Sequence, residues 1–111
     1  MVAVHLSQGS FEGGTNGNVN FYHGIPYAQP FERFKSPKPV TKSSTSSGVQ
    51  DATKFGPICP QNASRLEPYI YGRWPTPPHG GHPDESNCCV LSVYQPESAT
   101  QKPDQKLPVI V

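Results

Sequence analysis

Hydrophobic residues alternate with polar or small residues in two short runs near the start of the chain. The first run covers residues 2–7, with two valines and a leucine at every second position, and the second covers residues 19–25. Residues 9–18, between them, are mainly Gly, Asn, Ser and Thr, which favour turns. This pattern predicts a β-hairpin in which residues 2–7 pair antiparallel with residues 19–25 across a Gly-rich loop.

A second pair of strands is predicted near the end of the chain. Residues 90–94 and 107–111 are both rich in aliphatic residues, and a polar connection covers residues 96–105. We expect these two runs to pair antiparallel at the start of a larger sheet. Such a pair would leave one apolar face uncovered, formed by Leu91, Val93, Val109 and Val111.

Prolines interrupt the centre of the chain. Four of them fall within residues 26–40, where each removes a backbone donor and favours extended geometry, so this stretch is predicted to be irregular. Residues 51–55 are compatible with a short helical turn that Pro57 ends. Residues 60–87 are predicted to form a long Pro-rich loop, and a loop of this length in a compact domain usually carries function or is disordered.

Composition limits the size of the core. The chain has 111 residues, of which 14 are Pro and 10 are Gly, with 33% hydrophobic and 15% charged residues. A typical globular domain has about 45–50% apolar and about 25% charged residues. We therefore expect one loop-rich unit of marginal stability, because so thin a core offsets little of the entropy lost on ordering the chain.

Charge and hydropathy argue against two classes of partner. The net charge is only +1 and the basic residues are not clustered, so nucleic acid is not an expected partner. No apolar run approaches the roughly 18 residues needed to cross a bilayer, so no membrane span is predicted. The N-terminus shows no basic segment followed by an apolar stretch, so no signal peptide is visible.

Three cysteines and one sequon nevertheless favour an extracellular protein. Cys59, Cys88 and Cys89 allow one disulfide and leave one thiol, and a bridge between the two adjacent cysteines would be strained. Asn62 begins the sequence Asn-Ala-Ser, an N-glycosylation acceptor in the secretory pathway. We therefore expect a secreted or extracellular protein.

Other groups that could carry chemistry are weakly supported. The sequence contains no Gly-x-Ser-x-Gly, the motif of a serine nucleophile on a strand-to-helix turn. The segment His79-Gly-Gly-His82 superficially resembles an oxyanion loop, but it lies among prolines and is interpreted as a flexible turn. Asp84, Cys88 and Cys89 add zinc-ligand types without the spacing of a metal site, so neither a metal nor a cofactor is predicted.

Four segments of the chain carry recognisable motifs. They are Phe21-Tyr-His-Gly-Ile-Pro-Tyr-Ala-Gln-Pro30 with Arg33-Phe34, Asp51-Ala-Thr-Lys-Phe-Gly-Pro-Ile-Cys-Pro-Gln61, Cys88-Cys-Val-Leu-Ser-Val-Tyr-Gln-Pro96 and Lys106-Leu-Pro-Val-Ile-Val111. In this order they resemble the N-terminal part of the type-B carboxylesterase family, which includes cholinesterases and fungal lipases. The resemblance implies that residues 1–111 are the N-terminal part of an α/β-hydrolase domain, here a small hairpin, the first strands of the central sheet and long loops.

The resemblance also implies a function. Members of the family hydrolyse small-molecule carboxylic esters through a serine acyl-enzyme, without a cofactor. Their catalytic serine, acid and histidine follow later in the sequence, so no catalytic residue is assigned within 1–111. We expect the chain to be an incomplete domain that is inactive alone. The alternative is a fragment of a non-catalytic, cholinesterase-like adhesion or binding protein.

The disulfide pairing is implied by the same resemblance. The family's bridge corresponds to Cys59–Cys88 and would close residues 60–87 into a loop that covers the substrate gorge. Closing about 30 residues removes roughly 3.6 kcal/mol of unfolded-state entropy in the chain-entropy model. Trp74 in this loop is a candidate gorge-lining aromatic, although an anchor packed against neighbouring prolines is the more ordinary role.

Two departures from the family pattern lie beside the second cysteine. Strand alternation predicts that Cys89 takes the place of a core leucine while Cys88 faces away from the apolar face. The family's acidic pair before that cysteine is replaced by Ser86-Asn87. Its ion pair with Arg33 is therefore expected to be absent, unless Glu85 reaches in from one residue earlier.

Overall fold

The computed structural model describes residues 1–29, 32–40, 48–61, 83–102 and 104–111. Within these ranges the chain forms five strands and one short helix. The elements are β1 (Val2–Leu6), β2 (Gly9–Asn16), β3 (Val19–Pro26), β4 (Val49–Asp51), β5 (Val90–Pro96) and α1 (Glu97–Gln101). All five strands belong to one sheet in which β1, β2, β3 and β5 follow in that order and β4 pairs with β2. The scarcity of helix and the mainly antiparallel strands agree with the predicted small set of first strands and loops.

The first three strands form an antiparallel meander instead of the predicted hairpin. β1 pairs with β2, with Val4 opposite Phe11, and β2 pairs with β3, with Gly14 opposite Phe21. The predicted pairing of residues 2–7 with residues 19–25 is therefore wrong, because the Gly-rich segment between them is itself a strand. A tight turn joins β2 to β3, and Gly17 provides its left-handed backbone at φ 58°.

Glycines in β2 make room for aromatic rings from β3. A Cβ at Gly13 would lie 2.2 Å from the carbonyl oxygen of Phe21 and 2.5 Å from the ring of Tyr22. A Cβ at Gly14 would lie 2.3 Å from the ring of Phe21. The glycines that suggested a loop thus act as strand positions covered by cross-strand aromatic side chains.

β5 pairs antiparallel with β3, not with residues 107–111. Val93 lies opposite Tyr22 and Tyr94 lies opposite Phe21, with an irregularity between Tyr22 and Ile25. The predicted pairing of residues 90–94 with residues 107–111 is wrong, and residues 107–111 form no strand. β3 has eight residues along which β5 can pair, and its His23 ring meets the edge of Tyr94 in β5.

Two smaller predictions also need correction. Residues 51–55 form no helical turn, since Asp51 ends β4, which pairs in parallel with β2. The Asp51 carboxylate then accepts a hydrogen bond from the backbone N–H of Thr53 at 2.9 Å, which makes an Asx turn instead. Residues 97–101 form α1 within the predicted polar connection, directly after Pro96.

The core is small. Its centre consists of Phe11, Tyr22, Ile25 and Ala52, with Val2 and Val4 packed against it. Asn20 is also buried, and it links the sheet to α1 by accepting a hydrogen bond from Thr15 and donating one to Thr100, both at 2.9 Å. None of the helices in the described ranges is long and apolar enough to span a membrane.

Candidate functional site

The two ends of the 60–87 segment lie side by side. Ile58, just before it, forms a parallel bridge with Pro83, and the backbone N–H of Asp84 donates to the carbonyl of Ile58 at 3.0 Å. This contact brings Cys59 and Cys88 into the same neighbourhood. We call the set Tyr27, Arg33, Cys59, Glu85, Cys88 and Cys89, which surrounds this contact, the clasp.

The thiols of Cys59 and Cys88 are neighbours in the clasp, and both are free. The pKa of the Cys88 thiol is raised to about 11, mainly by a side-chain hydrogen bond with Cys59 and to a smaller extent by burial. The Cys88 sulfur also lies 3.5 Å from the carbonyl oxygen of Glu85. The Cys59–Cys88 disulfide is not formed in this structure and stays a prediction.

Cys89 occupies a different position from the one that strand alternation predicts. Cys88 is buried and Cys89 is half-buried, whereas a residue on the core side of the strand would be the more buried of the two. The backbone N–H of Val90 donates to the carbonyl of Cys88 at 2.9 Å, which makes a tight turn centred on Cys89 and interrupts the alternation. The prediction that Cys89 takes the place of a core leucine while Cys88 faces away is therefore wrong.

Tyr27 holds Cys89 through both its backbone and its side chain. Its N–H donates to the carbonyl of Cys89 at 3.0 Å. A hydrogen bond between the side chains of Tyr27 and Cys89 raises the pKa of Tyr27, and the charges of Cys89, Cys59 and Cys88 add to the effect.

Arg33 and Glu85 form a two-pronged ion pair on the outer side of the clasp. Nε of Arg33 donates to Oε1 of Glu85 at 2.6 Å and Nη2 donates to Oε2 at 2.7 Å. The hydrogen bond from Arg33 lowers the pKa of the Glu85 carboxyl, and Glu85 in turn raises the pKa of Arg33. The alternative in which Glu85 reaches in from one residue earlier is confirmed.

The turn that follows Pro83 presents Glu85 to Arg33. Oδ1 of Asp84 accepts hydrogen bonds from the backbone N–H groups of Ser86 and Asn87 at 2.9 and 3.2 Å. Oδ2 of Asp84 accepts from the side-chain amide of Asn87 at 2.8 Å. Ser86 and Asn87 stand where the family has an acidic pair. Their hydrogen bonds stabilise the turn that contains Glu85, which supplies the carboxylate instead.

A buried histidine of β3, His23, packs against β5 and was not singled out from the sequence. The His23 ring stacks on Phe55 at 3.9 Å and on Phe21 at 4.8 Å, and it meets the edge of Tyr94 at 5.5 Å between ring centroids. Its Nδ1 lies 3.0 Å from the hydroxyl oxygen of Ser92. Burial lowers the pKa of His23. The period-2 spacing of Phe21 and His23 in the strand is the signal that indicates a shared face.

Several residues singled out from the sequence lie outside the described residues. They are Asn62 of the sequon, Trp74 of the Pro-rich loop, and His79 and His82 of the histidine segment. Among the residues that the structure does describe, no group of three or more His, Cys, Asp or Glu side chains is arranged to hold a metal ion.

The fold of the chain matches the N-terminal portion of solved α/β-hydrolase structures, as predicted. A solved structure of PNB esterase superimposes with a TM-score of 0.62 and 30% identity, over 86% of this chain and 18% of that one. The family model described as the carboxylesterase family matches residues 1–111. The chain therefore belongs to the carboxylesterase family, as the motifs predicted.

Two curated relatives illustrate the range of the family. The chain is 33% identical over 111 residues to para-nitrobenzyl esterase of Bacillus subtilis (strain 168), covering 97% of this chain and 20% of that protein. It is 32% identical over 109 residues to neuroligin-3 of Rattus norvegicus, covering 82% of this chain and 12% of that protein. The chain thus spans a fifth or less of the length of these relatives.

Proposed function

We propose that residues 1–111 are the N-terminal part of a carboxylic ester hydrolase that acts on small-molecule esters through a serine acyl-enzyme. The observation that carries this proposal is the 33% identity to para-nitrobenzyl esterase over 97% of the chain. The catalytic serine, acid and histidine belong to parts of the protein outside residues 1–111. The role of this segment is to build the first strands of the sheet and to fix the loop beside the substrate.

The clasp supports this role physically. The Ile58–Pro83 bridge joins the two ends of the 60–87 segment to each other, and the Arg33–Glu85 ion pair joins the second end to the segment that follows β3. A Cys59–Cys88 disulfide would make this connection covalent in an oxidising compartment. In this proposal the protein is secreted, Asn62 carries a glycan, and residues 60–87 cover the gorge with Trp74 as a lining aromatic.

The second candidate is a non-catalytic binding protein of the same family. The similarity to neuroligin-3 favours it. The two candidates differ at one residue of the serine motif Gly-x-Ser-x-Gly, where the hydrolase needs the nucleophile. Sequencing the transcript that encodes this chain, and reading any codons that follow Val111, separates them. A serine at that position supports the hydrolase, and another residue there supports the binding protein.

Two activity measurements test the hydrolase proposal. The purified chain should release no p-nitrophenol from p-nitrophenyl acetate above the buffer rate, because its sequence lacks the Gly-x-Ser-x-Gly motif that carries the family's serine nucleophile. A chimera of Bacillus subtilis para-nitrobenzyl esterase, in which this chain replaces the matching N-terminal fifth, should hydrolyse the same ester. A chimera that folds but is inactive, or a repurified chain that turns over the ester, would contradict the proposal.

A further inference from the structure

The clasp contains one cysteine more than a single disulfide needs. Backbone hydrogen bonds hold three segments together, from Tyr27 to the carbonyl of Cys89 and from Asp84 to the carbonyl of Ile58, both at 3.0 Å. Cys59 directly follows Ile58, and the Cys88 sulfur lies 3.5 Å from the carbonyl oxygen of Glu85, the residue after Asp84. These contacts place all three cysteines in one small neighbourhood.

The three thiols differ in their access to solvent. Cys59 is exposed, Cys89 is half-buried and Cys88 is buried. A disulfide in solution therefore reaches Cys59 first. The backbone turn centred on Cys89 breaks the alternation that would otherwise put Cys88 and Cys89 on opposite faces of a strand.

We propose that Cys59, Cys88 and Cys89 form a thiol–disulfide exchange site for small-molecule disulfides, in which Cys89 competes with Cys88 for the sulfur of Cys59. The Cys59 thiolate attacks the small disulfide, so that a mixed disulfide forms and one small thiolate leaves. The thiolate of Cys88 or Cys89 then attacks the Cys59 sulfur, and the second small thiolate leaves. The two small thiolates take up the protons that the two cysteines released.

The two bridged forms also interconvert without any further oxidant. In the Cys59–Cys88 form, the Cys89 thiolate attacks the Cys59 sulfur, the new bridge forms, and Cys88 leaves as a thiolate that takes up the proton released by Cys89. The raised pKa of Cys88 slows its own attack on the mixed disulfide and also makes Cys88 a poor leaving group, so we expect the Cys59–Cys89 form to be the minor one. The exchange changes the residue that is bridged to Cys59 from Cys88 to Cys89. It does not depend on ester hydrolysis.

The first test uses Cys88→Ser in the full chain. The variant is equilibrated with oxidised and reduced glutathione, acid-quenched, and mapped by mass spectrometry of non-reduced peptides. We expect a Cys59–Cys89 bridge, with an effective concentration at least roughly tenfold above that of the same variant in concentrated guanidinium chloride. A product that stops at the mixed disulfide of Cys59, or a value equal to that in denaturant, would overturn the proposal.

Two matched variants show whether Tyr27 positions Cys89. In the Cys88→Ser background, Tyr27→Phe should slow bridge formation about 2- to 10-fold, because the hydroxyl that holds the Cys89 sulfur is lost and the ring is kept. Tyr94→Phe removes a hydroxyl outside the clasp and should leave the rate unchanged. Equal rates for the two variants would contradict this positioning role.

A second test uses the natural chain and does not depend on how Cys88→Ser folds. The Cys59–Cys88 form is isolated, held at mildly alkaline pH without added thiol, and acid-quenched at intervals. A minor Cys59–Cys89 species should appear and reach a steady fraction. If only the starting bridge is found at every time point, the exchange does not occur and the proposal fails.

Discussion

Arg33 and Glu85 face each other with two parallel hydrogen bonds, although 52 positions separate them in the sequence. Such paired bonds fix the relative orientation of guanidinium and carboxylate, which a single contact does not. The residues that stand where the family has its acidic pair are Ser86 and Asn87. Asp84 accepts hydrogen bonds from the backbone of both residues and so forms a turn. This turn presents Glu85, one position earlier than the family's acids, to Arg33.

The first prediction concerns this ion pair. Glu85→Gln should modestly lower the free energy of unfolding, and more at low salt, because both side chains are partly solvated. The pKa of Glu85 is lowered by Arg33, so its contribution is present above the usual carboxyl pKa and is lost as the pH falls through the lowered value. Urea unfolding at neutral and acidic pH measures both effects.

Glu32→Gln is the matched control for that experiment. Glu32 pairs with Lys35 only three residues away, so it joins no distant segments. Its loss should leave the amide hydrogen exchange of residues 83–88 unchanged, whereas Glu85→Gln should speed it. Identical exchange in the two variants would show that the Arg33–Glu85 pair does not hold the clasp.

The second prediction is that oxidation produces a predominant Cys59–Cys88 bridge and leaves Cys89 mostly as the free thiol. The pairing follows the family motifs, and the bridge between Ile58 and Pro83 brings the segments that carry the two cysteines together. The bridge should stabilise the chain by up to about 3.6 kcal/mol. Peptide mapping under non-reducing conditions identifies it, with Cys59→Ser as the control. A predominant Cys59–Cys89 bridge would refute this pairing.

The third prediction concerns β2. Gly13→Ala should destabilise the chain by about 1–3 kcal/mol or more, because the added Cβ would lie 2.2 Å from a backbone oxygen that cannot move without breaking the pairing with β3. Gly48→Ala is the control, since nothing lies within 4 Å of a Cβ there. Denaturant unfolding followed by far-UV circular dichroism compares the two. Equal midpoints would mean that β2 does not pack as described.

The fourth prediction concerns the buried histidine. Burial lowers the pKa of His23 below its usual value of 6.5, so the folded chain favours the neutral ring. Its contribution to stability is therefore complete above about pH 6.5 and is lost as the pH falls through the lowered pKa. His23→Phe keeps the stacking ring and should reduce the change in the free energy of unfolding between pH 7.5 and pH 5. His5→Gln should leave that change as it is in the natural chain. A slope equal to that of the natural chain would contradict this.

The fifth prediction concerns association of the isolated chain. Leu91 and Val93 are 41% and 39% exposed, and Val109 and Val111 are 83% and 120% exposed, so all four predicted apolar residues meet solvent. The purified chain should bind the dye ANS and sediment as larger species. Val109→Lys/Val111→Lys should reduce both effects more than Val49→Lys does. A monomer that unfolds cooperatively and binds no dye would show that the apolar face is covered.

The sequence predicted the family and the places of three strands, but not their pairing. Alternation locates β1, β3 and the start of β5, because each run carries its own period-2 pattern. β2 was missed because Gly13 and Gly14 read as turn residues, and their strand role depends on the rings of Phe21 and Tyr22 from another strand. A single-segment pattern does not contain that cross-strand contact.

The sequence predicted some contacts of the clasp and missed others. The motifs indicated that Cys59 and Cys88 approach each other, and the charge of Glu85 made it a possible substitute for the missing acids. The tight turn at Cys89 was not predicted, since it is formed by a backbone hydrogen bond that no side-chain pattern encodes. The stack of His23 on Phe55 joins two separate segments and likewise has no local signal.

The position of β5 in the sheet has a consequence for how the chain folds. β1, β2 and β3 are consecutive in the sequence, whereas β5 and α1 meet β3 through long-range contacts. His23 contacts Ser92, which is 69 positions away, and Asn20 contacts Thr100, which is 80 positions away. Closing so long a loop costs entropy before any contact repays it, so the meander should form first and β5 should dock late. During synthesis on the ribosome, the aromatic face of Phe21 and His23 therefore stays uncovered by β5 until Ser92 and Tyr94 have emerged.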